Sequence, residues 1–275
     1  MGDYFFLNGE ILPSSKAVLN ITDLALLRGF GIFDFMRTHQ KKPFLMDRYL
    51  NRFFNSARFV DLEVPYNRTY IQKTIMALLE RNQIFEAGIR LVLTGGYTLN
   101  GYSPSSPNFF ILVEKINFPT RLQYDQGIRL YFYSHQRELS HIKSINYISP
   151  IAIRAKIQAS NAYDVLYHFN DQVLEVSRSN FFIIKDEKII TAADNILLGI
   201  TRASVIDLAR MHYRVEERSI GVNELWNADE AFLTGTTKKV LPVVQVGDHT
   251  IGSGSPGQIT RRLMDLYAEF ENRNS

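Results

Sequence analysis

At 275 residues the chain can bury one large core or two modest ones. With 45% hydrophobic and 21% charged residues, and 31 basic against 28 acidic, its composition is that of a globular protein and excludes a basic nucleic-acid surface. The absence of cysteine excludes disulfides and thiolate metal sites, and it suits a reducing, cytoplasmic setting.

The apolar run Tyr4 to Leu7 is too short for a signal peptide or a membrane span. With Asn8-Gly9 and then Ile11-Leu12 it predicts a hairpin. The stretch Leu24 to Gly31 holds Arg28 and two glycines, Gly29 and Gly31, where a sharp bend or close backbone approach is expected. A strand is predicted over 32–38, followed by a turn at Lys41-Lys42-Pro43. Helical spacing over 47–59 puts Leu50, Phe53, Phe54 and Ala57 on one face, with Arg52 beside that stripe. A second amphipathic helix follows over 70–82, then strands over 87–94 and 108–115. Periodicity breaks across 117–127. The expected organisation is therefore a small α/β domain over 1–116, a linker over 117–127 and a larger domain over 128–275.

The larger domain is predicted to hold a strand over 128–134, then a segment containing Lys143, then a helix over 148–160. Strands over 164–170 and 181–185 are joined by a turn at Asn170-Asp171-Gln172. Further elements are expected at 188–191, 201–212 (a helix), 216–219, 222–226 (a short helix), 230–234 and 257–271 (a helix).

Four places in this larger domain carry chemistry. In His141-Ile142-Lys143-Ser144-Ile145-Asn146-Tyr147, small and polar neighbours leave room beside a lysine amine, which attacks aldehydes once part of it is neutral. Most lysines are solvated charges, so the segment alone decides little. Leu197-Leu198-Gly199-Ile200-Thr201-Arg202 opens a helix, and helix N-termini offer free N–H groups to a phosphate. The turn Thr234-Gly235-Thr236-Thr237 offers hydroxyls and N–H groups, although threonine-rich turns are usually only turns. Glu175 reads either as a solvated strand-end carboxylate or as the partner of a protonated heterocyclic nitrogen. Together these supply what a pyridoxal phosphate site needs.

The order of these four motifs, ending in Ala228-Asp229-Glu230-Ala231-Phe232-Leu233-Thr234-Gly235-Thr236, resembles the class IV aminotransferases of PLP fold type IV. That family includes branched-chain and D-amino acid aminotransferases and aminodeoxychorismate lyase. The likeness runs through nearly the whole chain, including Asp47-Arg48-Tyr49-Leu50-Asn51-Arg52, where Tyr49 replaces a frequent His; Leu198 likewise replaces a frequent Pro. The resemblance implies an α/β (α+β) fold of two domains, with pyridoxal 5'-phosphate in the cleft between them. Lys143 would form the Schiff base and move the proton. Glu175 would face the pyridine nitrogen, and Tyr147 the phenolic oxygen. Arg52, Ser179, Asn180, Gly199, Ile200, Thr201 and Thr236 would complete the cofactor contacts.

The resemblance also implies a homodimer in which Arg28 reaches the neighbouring active site, and substrate contacts from Arg28, Phe33, Arg90 and Thr237. Arg90 lies in an otherwise apolar strand, so it needs either a salt-bridged Glu or an anionic substrate. Two such arginines favour a D-amino acid transaminase acting on D-alanine or D-glutamate with 2-oxo acids. A branched-chain aminotransferase or aminodeoxychorismate lyase is the alternative on the same fold.

Overall fold

The computed structural model describes residues 1–84 and 86–274. The chain divides into two compact units, Met1–Asn117 with Ile142–Asn146, and Phe118–His141 with Tyr147–Arg273. The segment around Lys143, expected in the second domain, groups with the first.

In the first unit the elements are β1 (Tyr4–Leu7), β2 (Glu10–Pro13), α1 (Leu24–Arg28), β3 (Gly31–His39), β4 (Lys42–Pro43), α2 (Met46–Phe59), α3 (Arg68–Asn82), β5 (Ala87–Thr94) and β6 (Phe109–Lys115). The strands form one sheet in the order β2-β1-β6-β5-β3-β4. Asn8 and Gly9 both take positive φ at the first turn, as a two-residue hairpin requires. Lys42 and Pro43, expected within a turn, instead form the return strand of a second hairpin, with Gln40 and Lys41 at positive φ. The apolar stripe of α2 buries Leu50 and Phe53, and Phe53 meets Phe109 while Phe109 meets Phe6. Asp23 caps α1 through Ala25 N–H and accepts from Thr94 and Asn108, so its buried charge is fully hydrogen-bonded. Gly29, at φ 64°, closes that helix.

In the second unit the elements are α4 (Arg121–Gln126), β7 (Ile128–Ser134), α5 (Ile148–Ala152), α6 (Arg154–Ala159), β8 (Asp164–Phe169), β9 (Gln172–Val176), β10 (Ser179–Lys185), β11 (Lys188–Thr191), α7 (Ile200–Ala209), β12 (Val215–Glu217), β13 (Ile220–Gly221), α8 (Val222–Trp226), β14 (Glu230–Gly235), β15 (Lys239–Val246), β16 (His249–Thr250) and α9 (Gln258–Arg273). Most of the expected linker is structured: Thr120 and Gln123 form a capping box that starts α4. The single helix expected over 148–160 is two, parted at Ile153. The pairing β10-β14-β15-β7-β8-β9 returns to β10, so the strands close into a ring around Leu130, Leu166, Phe181, Leu233 and Leu241. Among the described residues, no helix is long and apolar enough to cross a membrane.

Candidate functional site

Lys143 enters the first unit's sheet as an extra rung. Its carbonyl accepts from Phe33 N–H at 2.9 Å, Ile145 N–H donates to Gly31 O at 3.1 Å, and Ser144 bridges Ile32. Gly31 has to be glycine at this crossing, because a Cβ there would stand 2.8 Å from Leu93 O. The rung fixes the backbone of a half-buried lysine and sets its Nζ 4.6 Å from the centre of the Phe33 ring.

Arg90 approaches the same ring. Its Cζ lies 5.3 Å from the Phe33 centroid and 5.0 Å from that of Phe35, while its Nη2 stands 2.7 Å from Glu114 Oε1. The guanidinium is therefore paired within the protein by a glutamate, one of the two partners that its sequence context left open. Arg28 is exposed at the end of α1 and donates to Leu27 O at 3.3 Å. Arg52 is gripped by buried Asp34 through two bonds of 2.9 and 2.7 Å, a planar fork on a carboxylate.

In the second unit, the strands bring Glu175, Ser179 and Asn180 together. Residues Glu175 and Asn180 are cross-strand partners on β9 and β10. Glu175 is buried rather than solvated: Arg137 Nε donates to Oε1 at 2.8 Å and Leu197 N–H to Oε2 at 3.0 Å. Arg137 is itself tied to Ser140 O at 2.7 Å. Asn180 Nδ2 donates to Leu197 O at 2.7 Å, fixing the segment that leads into Gly199. A Cβ on Gly199 would fall 2.1 Å from Asn180 Oδ1, so only glycine allows this approach.

Gly199 is the N-cap of α7, with Thr201 in the first turn, and it supplies no side-chain cap. The first-turn N–H groups are thus left to other partners, with Thr201 buried among them. Nearby on paired strands, Ser179 Oγ and Thr234 Oγ1 are buried without a hydrogen-bond partner among the described residues. A side chain on Gly235 would meet Ser179 Oγ at 2.9 Å, so the turn into half-buried Thr236 and Thr237 runs close to that hydroxyl. An uncapped helix start, two unsatisfied buried hydroxyls and a threonine turn form a cradle of donors that fits a phosphate. Tyr147 stands half-buried just before α5.

Arg137 is the functional candidate missed from sequence. Its loop has no motif of its own, and its partner lies 38 residues away.

The family model for amino-transferase class IV matches residues 31–246. The putative branched-chain-amino-acid aminotransferase of Methanocaldococcus jannaschii is 30% identical, over 98% of this chain and 96% of its own. The D-alanine aminotransferase of Bacillus licheniformis is 28% identical, over 93% of each chain. Among solved structures, a T.th. branched-chain amino acid aminotransferase with pyridoxamine 5'-phosphate superposes with a TM-score of 0.92 at 25% identity, covering 100% of this chain and 96% of that one. The same enzyme complexed with N-(5'-phosphopyridoxyl)-L-glutamate gives 0.92 at 26%, covering 100% and 95%. The chain belongs to the class IV aminotransferases, with their mixed α/β fold of type IV.

Proposed function

We propose that this class IV aminotransferase uses pyridoxal 5'-phosphate to move an amino group from D-alanine or D-glutamate to a 2-oxo acid. The observation that carries the cofactor reading is the second unit's pairing of a buried, oriented carboxylate with a donor-rich phosphate cradle. When bound, the cofactor supplies an aldehyde that condenses with amines and a protonated pyridine ring that withdraws electrons. Lys143 Nζ is the nucleophile toward that aldehyde, and it then carries the proton taken from the substrate's α-carbon. Glu175 holds the proton at the pyridine nitrogen, because an opposite charge favours the charged form. Arg137 and the Leu197 N–H keep that carboxylate aimed. Ser179, Asn180, Gly199, Ile200, Thr201 and Thr236 hold the phosphate end, with Arg52 as its cationic partner and Tyr147 at the phenolic oxygen.

Likeness to D-alanine aminotransferases along the chain's length supports the D-amino acid preference, and likeness of similar identity to a branched-chain aminotransferase supports the alternative. On this reading Arg90, Phe33 and Thr237 line the substrate, and Arg28 serves the neighbouring protomer of a homodimer. The exposure of Leu26 and Leu27 beside Arg28 supports a covering partner. The geometry beside Arg90 also favours the branched-chain alternative: Glu114 neutralises Arg90, which leaves the Phe33 and Phe35 wall largely apolar. Half-reactions with both enantiomers of alanine, glutamate and leucine separate the readings. Faster conversion of the D-alanine or D-glutamate form supports the proposal, and a clear preference for L-leucine replaces it.

A further inference from the structure

The hairpin that carries Thr236 and Thr237 is closed in an unusual way. Gly235 pairs with Lys239, and Lys238 N–H donates to Gly235 O at 3.1 Å. A left-handed position that closes such a hairpin is one that glycine normally occupies. Here the occupant is Lys239, at φ 56°. A side chain makes that conformation unfavourable, on the scale of about tenfold in population.

Other groups hold Lys239 there. Its Nζ lies 2.6 Å from Glu271 Oε2 and 5.9 Å from the centre of the Phe118 ring. Glu271, near the end of α9, is 1% exposed, and a carboxylate that deep is costly without a paired charge. The neighbouring residue is fastened as well, with the Tyr124 hydroxyl donating to Lys238 O at 3.0 Å. A glycine at position 239 would adopt the same backbone without a buried acid. Backbone strain held by surrounding structure is concentrated at binding sites, and this strain borders the turn assigned to phosphate.

We propose that Glu271 is a positioning residue for the cofactor: by pairing with Lys239 it holds residues 236–238 in the form that binds phosphate. The inference rests on reading Thr236 as a phosphate contact. The test titrates apoprotein with pyridoxal 5'-phosphate and, separately, with pyridoxal, which lacks the phosphate. Glu271→Gln should raise the dissociation constant for pyridoxal 5'-phosphate about tenfold and leave that for pyridoxal unchanged. Adding Lys239→Gly to Glu271→Gln should restore the phosphate-dependent affinity, because glycine takes the left-handed conformation unaided. Equal weakening of both ligands, no weakening, or no rescue overturns the proposal. If Glu271→Gln does not fold, Lys239→Val compared with Lys239→Gly decides. Valine resists the conformation and should lose affinity for pyridoxal 5'-phosphate alone, and equal affinities of the two variants overturn the idea. A wild-type protein that binds pyridoxal as tightly as its phosphate removes the assignment of the turn itself, and the proposal with it.

Discussion

Arg137 Nε lies 2.8 Å from Glu175 Oε1, and both side chains are nearly buried, at 13% and 6% exposure. The pair has a direction. Arg137 is anchored to Ser140 O, and the second carboxylate oxygen is taken by Leu197 N–H, so Glu175 has little freedom to turn away. Removing one member of such a pair leaves the other charge uncompensated, at a cost of about 3–5 kcal/mol. Arg137→Ala should therefore lower thermal stability and slow the half-reaction by more than about tenfold. Glu175→Gln should retain the cofactor yet slow the half-reaction strongly, because the ring nitrogen is no longer held protonated. An unchanged single-turnover rate in Glu175→Gln would show that the carboxylate is only structural.

Lys143→Ala removes the nucleophile and the proton carrier while leaving the backbone rung on β3 intact, since that rung uses only main-chain groups. The variant should keep its melting temperature, bind pyridoxal phosphate weakly without the absorbance of a lysine adduct, and show no turnover. Transamination within a few-fold of wild type rules out the assignment.

Local patterns gave the fold's regular parts. The Asn8-Gly9 hairpin and the α2 stripe were readable because the residues that decide them lie within a few positions of one another. The eight-residue strand β15 was not, since Pro242 sits inside it and proline argues against an interior strand. Strand β9 was also missed, its 5 residues being too short a run to separate from the preceding turn. Candidate site residues could be named where type and motif coincide, as at Lys143 and Gly199-Ile200-Thr201. Partners were not. Glu114 sits 24 residues from Arg90, and Asp34 sits 18 from Arg52, so nothing local announces either pair.

Two histidines set an acid limit on stability. Burial pushes His135 below its ordinary value of 6.5, helped by the nearby Arg137 charge and opposed by Glu138. Burial also lowers His168, which stacks on Phe132 at 3.9 Å, against an upward pull from Asp171. Both groups bind a proton more readily in the unfolded chain. Their contribution is complete above the unfolded value near 6.5 and is lost as pH falls from there through the lower folded values. The melting temperature should drop as pH goes from about 7 to about 5. His168→Phe, which keeps the stack and cannot be protonated, should flatten the drop. An equally steep drop in that variant would assign the acid sensitivity elsewhere.

The pairing of Arg90 with Glu114 gives the sharpest test of substrate class. Arg90 is one-third exposed and approaches the same Phe33 ring as the Lys143 amine, while Glu114 holds its guanidinium. If substrate carboxylates compete with Glu114 for that guanidinium, Arg90→Ala should raise KM for D-glutamate and 2-oxoglutarate. A charge-assisted contact is worth about 1.5–3 kcal/mol, or roughly 10- to 150-fold in kcat/KM. Glu114→Gln should move the same constants the opposite way, because it frees the fork without removing it. Arg28→Ala should raise KM as Arg90→Ala does while leaving cofactor binding intact. If Arg90 is only the partner of Glu114, the two substitutions will lower the melting temperature together and leave KM for dicarboxylates unmoved. In that case the aromatic wall of Phe33 and Phe35 faces an apolar side chain, and L-leucine should outrun every D-amino acid in the half-reaction.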